Sequence, residues 1–210
     1  MSTLDRIAHA LGRRDELPNQ ELARELAAQK DQAGIREIAE NLWSKDKNVR
    51  ADCIKVLYEI GYIDPALVAG YVEDFIRLLK SNNNRLVWGG MIALGTVAGL
   101  QAGAIYAHLA EIQKVIEAGS VITVDNGVQT LARAAAADER YNRAILPYLL
   151  DHLKNCRPKD VAQHAEKTLP AINAANKSEF ISVLEKRTSD LSGSALTRVM
   201  KVIKKAGQSE

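Results

Sequence analysis

A pattern returns along this chain every 37 residues, and self-similarity at that period constrains the fold more than any bulk property does. Residues 49–60 superpose on 86–97 and again on 123–134 with nothing inserted. Cys53, Gly90 and Gly127 fall together, as do Leu57, Leu94 and Leu131, then Ile60, Val97 and Ala134. A fourth copy follows after 38 residues with Val161, Ala165, Leu169 and Ile172, and a shorter fifth carries Ala195, Val199 and Ile203. Within each copy the apolar residues stand at the first position and then four, eight and eleven further on, the stripe of a helix that buries one face.

Three residues before each stripe stand Asp46, Asn83, Ser120, Pro158 and Ser192. Four of these five can accept a hydrogen bond from an orphan N–H of the first turn, so they read as N-caps. A second periodic segment precedes each of the first four copies: Ile35, Ile38 and Leu42; Val72, Phe75 and Leu79; Leu109, Ile112 and Ile116; Leu146, Leu149 and Leu153. The repeating unit is therefore a helical hairpin. Gly61 reads as a left-handed helix end, and Asp64-Pro65 as a cap followed by a proline at the first helical position.

The stretch Lys45-Asp46-Lys47-Asn48-Val49-Arg50-Ala51-Asp52-Cys53-Ile54-Lys55-Val56-Leu57 resembles the inter-helix turn of HEAT repeats, with its Asp and Val-Arg, and Met91-Ile92-Ala93-Leu94-Gly95 resembles the later part of the same helix. The likeness extends in hairpin spacing over 32–206, although the Val-Arg pair occurs once, so it does not imply a continuous Asp–Arg ladder. The resemblance implies an all-α, right-handed superhelix of armadillo type, a solenoid with first helices convex and second helices concave. About five hairpins follow an N-terminal capping hairpin, giving one domain over 1–210: a cap at 1–31, repeats at 32–206 and a tail at 207–210. In the cap, Leu4, Ile7, Ala8 and Leu11 suit one short helix, and Pro18 with Leu22, Ala23 and Leu26 a second.

Composition agrees with a stacked core: 47% of residues are apolar but only 5% aromatic. With 28 basic and 26 acidic residues the net charge is +2, which gives no bias toward nucleic acid. The basic residues of the last segment, Lys186, Arg187, Arg198, Lys201, Lys204 and Lys205, read as a solvated cap on the final repeat, with a weak anion-facing patch as the other reading. Cys53 and Cys156 lie in different repeats and no secretory signal opens the chain, so reduced thiols in a cytoplasmic protein are expected. Residues 86–107 run 22 positions without a charge, with glycines at 95, 99 and 103. The repeat register passes straight through them, which argues for soluble hairpins over a membrane helix.

Chemistry is thinly represented. No Gly-x-Ser-x-Gly element, phosphate loop or groove carboxylate pair is present, so neither an enzyme nor a cofactor is expected. His152 and Cys156 stand one turn apart and His164 follows, but one such pair is not a closed zinc site, and no metal is expected. Between the stripe residues of the second helices lie Trp88, Asp125, Lys55, Ile92, Gln129, Lys167 and Arg133, the expected partner-binding positions of the concave face. Two roles are open for Trp88: an anchor for a peptide or stacked base, or a filler of space left by Gly89 and Gly90. Gly127, in Asp125-Asn126-Gly127, reads as a point of close helix contact. The expected function is a protein-interaction scaffold binding a protein or peptide segment. The alternative is a nucleic-acid-binding protein similar in architecture to HEAT-like glycosylases for alkylated bases, with Asp125, Trp88 and Arg133 as a sparse set of contacts.

Overall fold

The computed structural model describes residues 2–208, so positions 209 and 210 of the expected tail lie outside it. Twelve α-helices and several 3-10 turns make up the described residues, with no strand among them. Five hairpins follow one another: α2 (Gln32–Glu40) with α3 (Lys47–Ile63), α4 (Val72–Leu78) with α5 (Asn84–Val97), α7 (Leu109–Glu117) with α8 (Val121–Ala137), α9 (Glu139–Asn155) with α10 (Pro158–Thr168), and α11 (Lys177–Arg187) with α12 (Gly193–Gly207). α1 (Leu17–Gln29) precedes them, and a short α6 (Ala102–Ala107) lies in the connection between α5 and α7. The second helices form a row in which α3, α5, α8, α10 and α12 each pack on the next, and α1 packs on α3 at its head.

Three of the four caps expected from the pattern operate as written. Asp46 accepts from the Asn48 N–H, Asn83 from Arg85 and Ser120 from Thr123, each holding an otherwise unpaired first-turn donor. Ser192 stands at the N-cap without a side-chain bond, and Pro158 is the first helical residue, where its missing N–H is no loss. The stripes are buried: Cys53, Leu57, Ile60, Leu94, Val97, Leu131, Ala134, Val161 and Ala165 are fully enclosed, as are Ile35, Phe75, Ile112 and Leu149 across the hairpins. The apolar core runs without a break from Ile7 to Ala206 because each hairpin shares its apolar face with two neighbours.

Three local expectations are corrected. Gly61 does not end a helix. It lies inside α3, and its bare backbone lets Thr96 of α5 cross, so that a Cβ at Gly61 would stand 2.8 Å from Thr96 Cβ. The first expected cap helix is only a 3-10 turn at Thr3–Arg6, because the backbone N–H groups of Ala8 and His9 turn away to bond Asn19 Oδ1 and Asp52 Oδ2. Ile7 and Ala8 are buried there while Leu11 is exposed. The uncharged run 86–107 is divided between α5 and α6, and no helix among the described residues is long and apolar enough to cross a membrane.

Candidate functional site

The positions singled out on the second helices stand on α3, α5, α8 and α10 and are engaged to different degrees. Lys55 is buried and anchored: its Nζ pairs with Glu16 at 2.8 Å and Glu59 at 2.7 Å. Burial alone would lower its pKa, but the hydrogen bonds it donates to both carboxylates outweigh that and raise it, so Lys55 is a fixed cation tying the cap to α3. Its Nζ also lies 4.9 Å from the Tyr58 ring centroid.

Trp88 and Ile92 sit half-buried on α5 against the core. The space beside Gly89 is taken by Ile54 and that beside Gly90 by Leu78 and the Phe75 carbonyl, so the glycines serve helix packing rather than the indole. Trp88 instead meets Tyr58, ring centroids 6.5 Å apart at a 53° tilt, and Tyr58 meets the exposed Tyr62 edge-on at 6.1 Å. This Tyr62–Tyr58–Trp88 ledge was not legible from the groove positions, because the two tyrosines lie outside the columns that face outward in the repeat alignment. The signal available was their separation by one helical turn.

Asp125 is a hub between α8 and α10. Its Oδ2 accepts from Gln163 Nε2 and its Oδ1 from His164 Nε2, each at 2.7 Å, while its backbone carbonyl accepts from Lys167 Nζ at 2.8 Å. Burial lowers the Lys167 pKa, with nearby Arg133 acting in the same direction and Asp125 opposing them. Arg133 donates to the Gly95 carbonyl at 2.6 Å near the end of α5, a favourable place for a cation, and its charge also reaches Tyr62. Gln129 is half-buried on α8 between the two. Thus Trp88 belongs to an aromatic cluster with Tyr58 and Tyr62, Ile92 packs against the core one turn on, Asp125 and Lys167 form a polar clasp between α8 and α10, and Lys55 joins the cap.

A second constellation adjoins that clasp. His164 is fully buried, and its Nδ1 lies 2.9 Å from His152 Nε2 on α9, with the two rings 4.8 Å apart. Cys156 stands one turn after His152. The His152 ligand atom, the Cys156 Sγ and the His164 ligand atom all lie within 4.8 Å of one another. Burial and the neighbouring His164 hold the His152 pKa down to about 4. Burial pushes the Cys156 thiol up, opposed by Arg187. The eleven residues between His152 and His164 span a helix-helix turn, so the convergence of the two rings is a tertiary result that spacing alone does not announce.

Arg187 departs from the solvated-cap reading of the last segment, whereas Arg198 keeps an exposed side chain and pairs across to the preceding hairpin. Arg198 makes a two-pronged pair with Glu166, and Arg187 is buried with its guanidinium over the end of α9. The paired arginines therefore bind repeats together.

No protein-family model matches the chain, and no curated protein matches it in sequence. Solved structures do match. An engineered protein aligns over 99% of this chain and 98% of its own, with a TM-score of 0.66 at 18% identity. A designed armadillo repeat protein in complex with the peptide (KR)4 covers 99% of both chains, with a TM-score of 0.66 at 15% identity. The chain is an armadillo-like helical-repeat solenoid. Computationally designed armadillo repeat proteins for modular peptide recognition match this solenoid as well, over 97% of its length with a TM-score of 0.64 at 15% identity.

Proposed function

We propose that this solenoid is a non-enzymatic recognition scaffold that holds an extended protein segment along the row of second helices. The observation that carries the reading is the pair of accessible rings, exposed Tyr62 and half-buried Trp88, backed by the buried Tyr58 between them on α3 and α5. Arg133 stands near Tyr62, and Asp125 lies further along α8, both held in place by bonds to a neighbouring repeat. Aromatic side chains flanked by fixed polar groups suit an extended peptide, whose apolar side chains need a platform and whose backbone needs donors and acceptors. Because α3, α5, α8 and α10 are already locked by core packing, no ordering of the scaffold is required when the segment docks. Structural neighbours include proteins designed for peptide recognition, which supports a peptide over a small molecule as ligand.

Selection of a random peptide library on the wild-type protein, followed by affinity measurement on variants, tests this. Trp88→Ala is expected to weaken the selected peptides about tenfold or more, as a buried aromatic anchor does. Trp43→Ala should leave affinity unchanged, since that ring sits in the turn before α3, 3.9 Å from the Arg77 guanidinium, and takes no part in the Tyr62–Trp88 cluster. Equal losses for both variants, or no enriched peptide, would overturn the reading. Oligonucleotide binding that weakens steeply with salt would place nucleic acid first.

A further inference from the structure

We infer that His152, Cys156 and His164 form a binding site for a borderline-soft divalent metal ion of the zinc class, with a fourth coordination position open to the surface. The donor set is two imidazoles and one thiol, a mixture that suits zinc and cobalt and is poorly suited to the hard cations calcium and magnesium. Geometry supports it in three ways.

First, the distances require little movement. Tetrahedral coordination with metal–nitrogen bonds of about 2.0–2.1 Å separates two nitrogens by roughly 3.3 Å. His152 Nε2 and His164 Nδ1 already stand 2.9 Å apart, and the Cys156 sulfur lies inside the same 4.8 Å circle. Second, the ligands are oriented from behind. The Asp125 carboxylate can only accept, so the 2.7 Å contact places a hydrogen on His164 Nε2 and turns the Nδ1 lone pair toward His152. A carboxylate behind a histidine whose other nitrogen faces the ion is the arrangement that fixes ring orientation and raises ligand basicity. On the opposite side, Arg187 Nη2 donates to the Cys156 carbonyl at 2.9 Å, and the Cys156 N–H bonds the His152 carbonyl at 2.8 Å, so the thiol and the first imidazole are held in one turn. Third, there is an entry path. A cavity of about 250 Å³ opens over the three residues, bordered also by Val121, Asn155 and Asp160. It has room for a water or a partner's side chain at the fourth position, and three protein ligands with one open place are the coordination of a reactive rather than a closed zinc site.

Binding balances simply. The hydrogen between the two rings moves from His152 Nε2 to its Nδ1 through solvent, which frees that lone pair, and the Cys156 thiol releases one proton to water as the metal–sulfur bond forms. No oxidation or reduction is involved. Cys53 cannot substitute, being fully enclosed in the core with its thiol pKa pushed up to about 12 by burial.

Titrating chelator-stripped protein with cobalt(II) tests the assignment. One equivalent should produce intense tetrahedral visible bands and a thiolate-to-cobalt charge-transfer absorption, both bleached by zinc. Cys156→Ser should remove the charge-transfer absorption. His152→Gln should weaken binding at least tenfold, and Asp125→Asn about 10–100-fold, the usual effect of removing an orienting partner. Circular dichroism and melting of Cys156→Ser establish that it folds, and His152→Gln supplies a second readout if it does not. Absence of a charge-transfer absorption at stoichiometric cobalt, or binding indifferent to Cys156→Ser and His152→Gln in folded protein, would overturn the site. Trp88→Ala should leave the cobalt spectrum unchanged, so failure of the peptide reading and failure of the metal reading are separately visible.

Discussion

Arg187→Ala is expected to lower the free energy of unfolding by about 3–5 kcal/mol, as removal of one member of a buried charged network does. Arg187 Nη1 donates to the carbonyls of Leu153 at 2.6 Å and Lys154 at 2.8 Å, Nη2 donates to that of Cys156, and Nε to Asp190 at 2.7 Å. Leu153 and Lys154 lie in the last turn of α9, where carbonyls have no intrahelical partner because the chain turns at Cys156 and Pro158 ends any continuation. Truncation leaves these acceptors beneath α11 without a donor, and each orphan costs about 1–3 kcal/mol. Arg187→Lys is expected to recover less than half, because a single ammonium cannot address three divergent carbonyls and the Asp190 carboxylate together. Urea denaturation of both variants measures this. A loss below about 1 kcal/mol for Arg187→Ala would show that water replaces the guanidinium at the end of α9.

Gly61→Ala should destabilise the protein by about 2 kcal/mol even though alanine is the better helix former. The helix-propensity gain at an interior position is about 1 kcal/mol. Against it stands the new methyl, 2.8 Å from Thr96 Cβ and closer still to its hydroxyl. Thr96 Cβ is fixed to the α5 backbone, so α3 and α5 must separate, and overpacking of that kind costs about 1–3 kcal/mol or more. Pairing the change with Thr96→Gly removes the obstructing atoms. The double variant should therefore be more stable than the sum of the two single losses, a coupling that thermal or urea melts of the four proteins resolve. Additive losses would mean that Thr96 moves aside freely.

The architecture was legible from sequence because its period is enforced by packing. Cys53, Gly90, Gly127 and Ala165 recur where neighbouring helices must approach, and Asp46, Asn83 and Ser120 recur where first turns need an acceptor. Gly61 was misread because local turn chemistry and close helix crossing select the same residue. Glycine at a helix end and glycine under a threonine cannot be distinguished until the neighbour is placed. The site was less legible. The places of Trp88, Asp125 and Arg133 on the second helices follow from their register, but the engagement of Lys55 with Glu16 and Glu59 depends on how the cap docks. The meeting of His152 with His164 depends on the angle between α9 and α10. Side chains that converge across helices carry no periodic mark.

The row α1–α3–α5–α8–α10–α12 has a bearing on biosynthesis. Each member of that row packs on the member emerging immediately before it, so every second helix has its docking surface waiting when it leaves the ribosome. α1 packs on α3, and the Glu16–Lys55 pair joins them, using residues that precede the second hairpin in the chain. A chain emerging in this order is expected to fold onto its earlier repeats, leaving chiefly the newest hairpin with an uncovered apolar face. That keeps the aggregation-prone surface of the growing chain to about one repeat, however many repeats the chain contains.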